Sequence, residues 1–115
     1  MTLKELGQLY WLNKEIEMDT RRLRKLGPGT EGIRAIIEAK RGRCIRERDA
    51  LEDYIAAIED DFTRMVFILR FAEGLPWKLI AAHMGGQNSS SGMRMLVCRY
   101  VKAHPGPSHE SSDDM

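Results

Sequence analysis

Cysteine is scarce in this sequence. Only Cys44 and Cys98 occur in 115 residues, and neither belongs to a CxxC pair or a Cys/His cluster. That spacing argues against a disulfide framework and the common zinc-ligand patterns. It leaves two small hydrophobic side chains, reduced as in the cytosol. Long apolar runs are missing too, with no stretch approaching the roughly 18–20 residues of a membrane-spanning helix. The segment MTLKELGQLYW interleaves charges with apolar residues and has no signal-peptide core. The expectation is a soluble, cytoplasmic protein with no membrane partner. Catalytic groupings are absent as well: no Ser/His/Asp set, no glycine-rich phosphate loop and no metal spacing. Asp60 and Asp61 are neighbours in sequence and point about 100° apart on a helix, so they do not converge as an acid–base pair. The expectation is a non-enzyme with no catalytic residues, no metal and no cofactor.

What is present is a globular, helix-friendly composition, 43% hydrophobic and 30% charged. The length suits one compact domain, or a helical hairpin with one small module. The net charge of +1 conceals strong segregation. Residues 1–20 carry two Lys and four acids, residues 21–48 carry ten Lys/Arg and three acids, and residues 49–62 carry six acids and no base. Residues 63–104 return to six Lys/Arg against one acid, and 105–115 hold three acids. Two basic blocks parted by an acidic one define separate surfaces, one of them suited to phosphate. The block at 21–48 reads first as a solvated face with helical ion pairs such as Glu38–Arg41 and Arg43–Glu47. Its second reading is an additional nucleic-acid surface. The acidic block reads as a solvated face before it reads as a docking site for a basic partner chain.

Periodicity places the helices. Leu9, Ile16 and Leu23 repeat every seven residues, with Leu12 and Leu26 on a neighbouring stripe, which predicts a helix over 3–26. Gly27-Pro28-Gly29 breaks it, and Thr30 is placed to cap the next. Ile37, Cys44, Leu51 and Ile58 repeat in the same way over 31–58, with few apolar residues between 40 and 49. A short loop between two such helices predicts an antiparallel αα-hairpin. Phe62, Val66, Leu69 and Phe71 predict a third helix, ended by Glu73-Gly74-Leu75. Pro76 opens a fourth, running over 77–84 with Ile80, Ala81 and Met84 inward. Gly85-Gly86-Gln87-Asn88 is a turn, and Ser89, Ser90 and Ser91 offer cap oxygens to a fifth helix. Residues 104–115, rich in Pro, Gly and Ser, read as a disordered tail.

The last two helices carry the functional signal. A helix-turn-helix needs a small residue on its first helix and a glycine-bearing turn, and Ala81 and Gly85 supply them. Its second helix must bury one face and present polar or cationic groups on the other. Met93, Leu96, Val97 and Tyr100 form the apolar stripe; Ser90, Arg94, Met95, Arg99 and Lys102 oppose it. The start of a recognition helix reaches base edges, which makes Asn88, Ser89, Ser90, Ser91 and Arg94 the candidates for readout. An arginine bridges guanine O6 and N7, and an asparagine pairs with adenine. Lys78, Arg99 and Lys102 suit phosphate contacts. Trp77 reads as core or as a lid over the helix pair before it reads as a stacking platform, and His83 as a surface group at a helix end.

The residues from Ile58-Glu59-Asp60 through Arg70-Phe71-Ala72-Glu73-Gly74-Leu75-Pro76-Trp77, and then Ile80-Ala81-Ala82-His83-Met84-Gly85, resemble region 4 of sigma-70-type factors. The resemblance is nearest to small sigma-like regulators of Gram-positive phages, the RinA and ArpU type, in which a helical hairpin precedes this segment and an Arg-Tyr pair like Arg99-Tyr100 closes it. It spans most of the chain and is specific over residues 58–101. It implies DNA binding near promoters and control of phage or prophage genes, with Trp77 and Lys78 on the first helix of the motif and Asn88 to Arg94 opening the recognition helix. The turn after Gly85 is longer than in ordinary region 4, and no counterpart of the promoter-melting domain is present. That implies a sigma-like activator or adaptor rather than a complete sigma factor.

The expected fold is all-α: an N-terminal antiparallel helical hairpin over 1–58, a sigma region-4-like helix-turn-helix over 59–103 and a tail over 104–115. The expected function is sequence-specific transcriptional regulation on double-stranded DNA. The hairpin is expected to serve as a homodimer interface or a contact for RNA polymerase or another host protein. Two alternatives stand beside it. One is a mobile-element interaction protein that inhibits a host polymerase or a defence nuclease through its hairpin; the other is a DNA-packaging adaptor.

Overall fold

A computed structural model describes residues 1–106, and among these every regular element is a helix. The order is α1 (Leu3–Leu6), α2 (Leu9–Lys25), α3 (Glu31–Ala56), α4 (Asp61–Phe67) continued by a π-helical turn (Ile68–Ala72), α5 (Trp77–Met84) and α6 (Ser90–Ala103). The long α2 packs along α3 as a hairpin, and smaller helices follow. Of the tail expected over 104–115, residues 107–115 lie outside those described. Residues 104–106 lie along the hairpin: the Met1 ammonium donates to Pro105 O, and Tyr54 Oη donates to His104 O at 2.6 Å.

The single helix expected over 3–26 is two helices. Thr2 caps α1, its hydroxyl accepting from Glu5 N at 3.0 Å. Gly7 then ends it, and Gln8 N bonds back to Glu5 O in a tightened turn before α2 begins. The repeat of Leu9, Ile16 and Leu23 lies wholly within α2, so the break before it leaves no mark on the apolar pattern. At the hairpin loop Thr30 takes the cap position, but its hydroxyl donates to Gly27 O at 2.5 Å and does not cap α3.

The hairpin seam changes character along its length. At its base Leu9 and Leu12 of α2 join Leu51 and Ile55 of α3, all buried. Further out the seam is polar. Asp19, only 1% exposed, accepts on Oδ1 from Arg22 at 2.7 Å and from Lys40 at 3.4 Å, while Oδ2 lies 3.2 Å from Lys40 Nζ. Lys40 also donates to Glu15 at 2.7 Å, and Arg41 to Thr20 Oγ1 at 3.1 Å. These bonds from Glu15 and Asp19 hold the Lys40 ammonium above its ordinary pKa. The ion pairs expected within α3, Glu38–Arg41 and Arg43–Glu47, are not formed; the basic block bonds across the seam and to Asp49 and Glu52 through Arg48. At the tip Ile33 and Ile36 remain exposed, at 54% and 67%.

The centre of the molecule is the α4–π segment, which touches α2, α3, α5 and α6. Asp60 starts it, accepting from Thr63 N at 2.9 Å and Thr63 Oγ1 at 2.6 Å; these bonds keep its carboxyl below the ordinary range. Thr63, Val66, Phe67, Leu69 and Phe71 are all buried, so the segment is covered around much of its circumference, as an interior helix must be. The i→i−5 bond from Glu73 N to Ile68 O, at 3.0 Å, widens the last turn. Phe67 has no exposed surface and lies 5.3 Å from the Tyr100 ring, 5.6 Å from Phe71 and 6.4 Å from Tyr54. One apolar cluster therefore runs from Leu6 and Leu9 through Phe67 to Ile80, Val97 and Val101.

Truncating Phe67 removes the ring that joins hairpin to C-terminal helices. Phe67→Ala is expected to lower stability by about 3–5 kcal/mol, whereas Phe62→Ala, at a ring 38% exposed, stays well below that; denaturant midpoints of the two variants check the contrast. Burial, and to a lesser degree the nearby Tyr100, push the Tyr54 phenol from 10.0 up to about 12. The folded state thus holds this proton more tightly than the unfolded chain. Its stabilising effect is complete below pH 10 and is lost as pH rises toward 12. Melting temperature followed across that window should fall less steeply in Tyr54→Phe than in the parent.

Candidate nucleic-acid interface

The pair α5–α6 is built on the apolar cluster from one side only. Pro76, at φ −69°, precedes the first turn of α5, and Ile80 and Ala81 face inward. The helix ends at Gly85 with φ 74° and ψ −170°, a region open only to glycine, and Gly86 follows at φ 65°. Five residues, Gly85 to Ser89, connect the helices. Asn88 Nδ2 donates to Gly85 O at 2.5 Å and fastens this turn. Ser89 caps α6, its hydroxyl accepting from Gly92 N at 3.0 Å. Met93, Val97 and Val101 are the buried stripe of α6, with Leu96 and Tyr100 half-buried at its edge.

The candidate contact residues separate into four groups. Asn88 and Ser89 have structural work, since the amide holds the turn and the hydroxyl caps the helix. Ser91, Arg99 and Lys102, with Met95 at 49% exposure, form one outward stripe at spacings of four, four and three residues. Arg94, three and seven residues before Val97 and Val101, lies beside the buried stripe and leans toward Trp77 across a cleft. Ser90 at the first turn of α6 and Lys78 on α5 are exposed. Lys78, Arg94, Arg99 and Lys102 make no ion pair with a carboxylate among the described residues. Their charge is therefore directed to solvent.

Two grooves flank α6. One, of about 500 Å³, is lined by Tyr10, Trp11, Arg70, Gly74, Trp77 and Arg94, with no acid in its lining among the described residues. The other, of about 1040 Å³, has Tyr54 and Tyr100 in its floor and Glu5, Glu47 and Asp53 among its lining residues. The second groove repels phosphate and the first attracts it. Trp11 and Arg70, missed from the sequence, enter the site through tertiary packing: Gly74 sits so close to the Tyr10 ring that a Cβ there would be 3.0 Å from Cδ2. Among the described residues no group of three His, Cys, Asp or Glu is placed to hold a metal, and no helix is long and apolar enough to cross a membrane.

No family model, curated protein or solved structure matches the chain significantly.

The turn geometry has a direct consequence. Gly85→Ala is expected to cost about 1–3 kcal/mol, because alanine does not tolerate that backbone conformation. Gly27→Ala, at a glycine without positive φ and with nothing within 4 Å of the added Cβ, is expected to change stability little. Equal melting temperatures for the two variants would contradict this account of the turn.

Proposed function

We propose that this chain is a DNA-binding transcriptional regulator of phage or prophage type, whose α5–α6 pair acts as a sigma region-4-like helix-turn-helix. The observation that carries the reading is the outward stripe of α6, where Arg99 and Lys102 stand beside Ser91 and Met95 with no carboxylate partner among the described residues. A cationic helix face without internal neutralisation suits the phosphates on either side of a major groove. Ser90 and Ser91 reach the groove floor first, and Met95 suits the apolar thymine methyl. Arg94, at the flank, serves a phosphate or a base at the groove edge. Lys78 on α5 contacts the backbone across the groove.

The hairpin supports this module and extends away from it. Its polar seam and its exposed Ile33 and Ile36 amid arginines favour a second use as a contact surface, for RNA polymerase, another host protein or a second copy of the chain. The inhibitor reading, in which the hairpin grips a host enzyme, draws on the same residues and predicts binding that is independent of α6.

Replacing Arg99 and Lys102 together by Ala separates these readings. Duplex affinity at about 100 mM salt should fall, and the slope of log K against log salt should shrink by about 2, near 1 per lost phosphate contact. Unchanged duplex binding would remove the recognition helix from the proposal. Selection from random duplexes should return a consensus motif.

A further inference from the structure

Both tryptophans of the chain line one open cleft of about 500 Å³ between the N-terminal helices and the C-terminal pair. Duplex contacts along the outward stripe of α6 leave Trp11, Arg70 and Trp77 unused, and only Arg94 at the cleft's edge is shared with the duplex surface. Two kinds of group meet in the cleft. Tyr10, Trp11 and Trp77 supply aromatic surface, and Arg70 and Arg94 supply positive charge. Trp11 is 63% exposed, a large apolar surface left in water beside the cleft. The Tyr10 ring meets it edge-on, at 5.3 Å and 83°. Arg70 lies over Trp77 at 4.4 Å and donates Nη1 to Leu75 O at 3.1 Å. That fixes the guanidinium and leaves its other N–H groups as donors. Among the described residues no carboxylate lines the cleft and neither arginine forms an ion pair.

These groups define their ligand. The two arginines require an anion, and in a planar, bidentate form they suit phosphate. The aromatic walls require a flat face to stack on. The volume falls within the range of about 300–1,000 Å³ typical of small-ligand sites. A phosphate joined to a flat ring is a nucleotide. Because Arg94 belongs to α6, the cleft opens beside the surface assigned to the duplex, where a strand leaving that duplex would pass. We propose that the cleft holds one unpaired nucleotide of a DNA strand, its base against Trp11 and Trp77 and its phosphate between Arg70 and Arg94. The inference rests on the DNA-binding reading of α6 and adds that the protein acts where duplex meets unpaired strand.

The two tryptophans are the chain's only ones, so their fluorescence in the intact protein reports occupancy of the cleft. A short oligodeoxythymidylate is expected to quench it. Trp11→Ala, at an exposed position that the core does not need, is expected to weaken oligonucleotide binding at least about fivefold, the stacking share of one base. Binding of a blunt duplex should be unchanged in that variant. An abasic strand of equal length keeps the phosphates and should bind the parent protein several-fold more weakly than the base-bearing strand. Equal binding of the two strands, or unchanged affinity in Trp11→Ala, overturns the nucleotide assignment; so does equally strong quenching by polyglutamate. If the blunt duplex binds while single strands leave the fluorescence unaltered, the cleft proposal fails and the α6 reading stands. If single strands quench and the duplex does not bind, the α6 reading fails alone.

Discussion

The fold depends on the burial of Phe67. This ring is fully enclosed and touches aromatic side chains from α3, from its own helix and from α6. Beside it the hairpin meets α6 directly through Tyr54, whose ring lies 6.1 Å from that of Tyr100 and whose Oη donates to His104 O, and Tyr10 packs on Gly74 ahead of α5. A two-helix hairpin of this size has too little apolar surface to stand alone, and so does a pair of short helices on a turn. Each is stable because the α4–π segment is apolar on several sides and gives both a surface to cover.

The hairpin itself illustrates a divided seam. Its base is hydrophobic and joins the core; its outer half is held by Asp19, Glu15 and Lys40. A buried carboxylate with two cationic partners adds geometric definition rather than much net stability, because desolvating Asp19 offsets most of the attraction. It sets the register of α2 on α3, since a shift by one turn would bury Asp19 without Lys40. This arrangement leaves the tip isoleucines and many arginines on an arm that reaches away from α6, consistent with a contact surface separate from the proposed DNA face.

Segregated charge organises the rest. The cations of α6 lack ion-pair partners among the described residues, the groove on one flank carries glutamates and an aspartate, and the cleft on the other carries two arginines and two tryptophans. An anionic polymer lying on α6 is therefore drawn toward the aromatic cleft and away from the acidic groove. The same asymmetry separates the proposed nucleic-acid side from a side suited to basic partners.

Much of this was legible in the residues, because local rules govern it. Seven-residue spacing marks α2 and α3, Gly27-Pro28-Gly29 marks their loop, and Gly85-Gly86 followed by serines marks the turn before α6. The outward cations of α6 follow from its period. Other features were not legible, because they arise between distant segments. Asp19 continues the Leu12–Leu26 stripe at the same spacing, so a charge on the apolar face was visible, but its partner Lys40 was not. The break at Gly7 and the π turn at Ile68–Ala72 shift the backbone without disturbing the apolar count. Asn88 and Ser89 look like base readers in sequence, yet the chain's own unpaired carbonyl and amide groups claim them first. Local periodicity and turn chemistry thus determined the helices and the exposed cationic stripe. Only tertiary packing decided that Trp11, Arg70, Trp77 and Arg94 meet in one cleft, because their proximity depends on how the hairpin docks against Gly74 and Phe67.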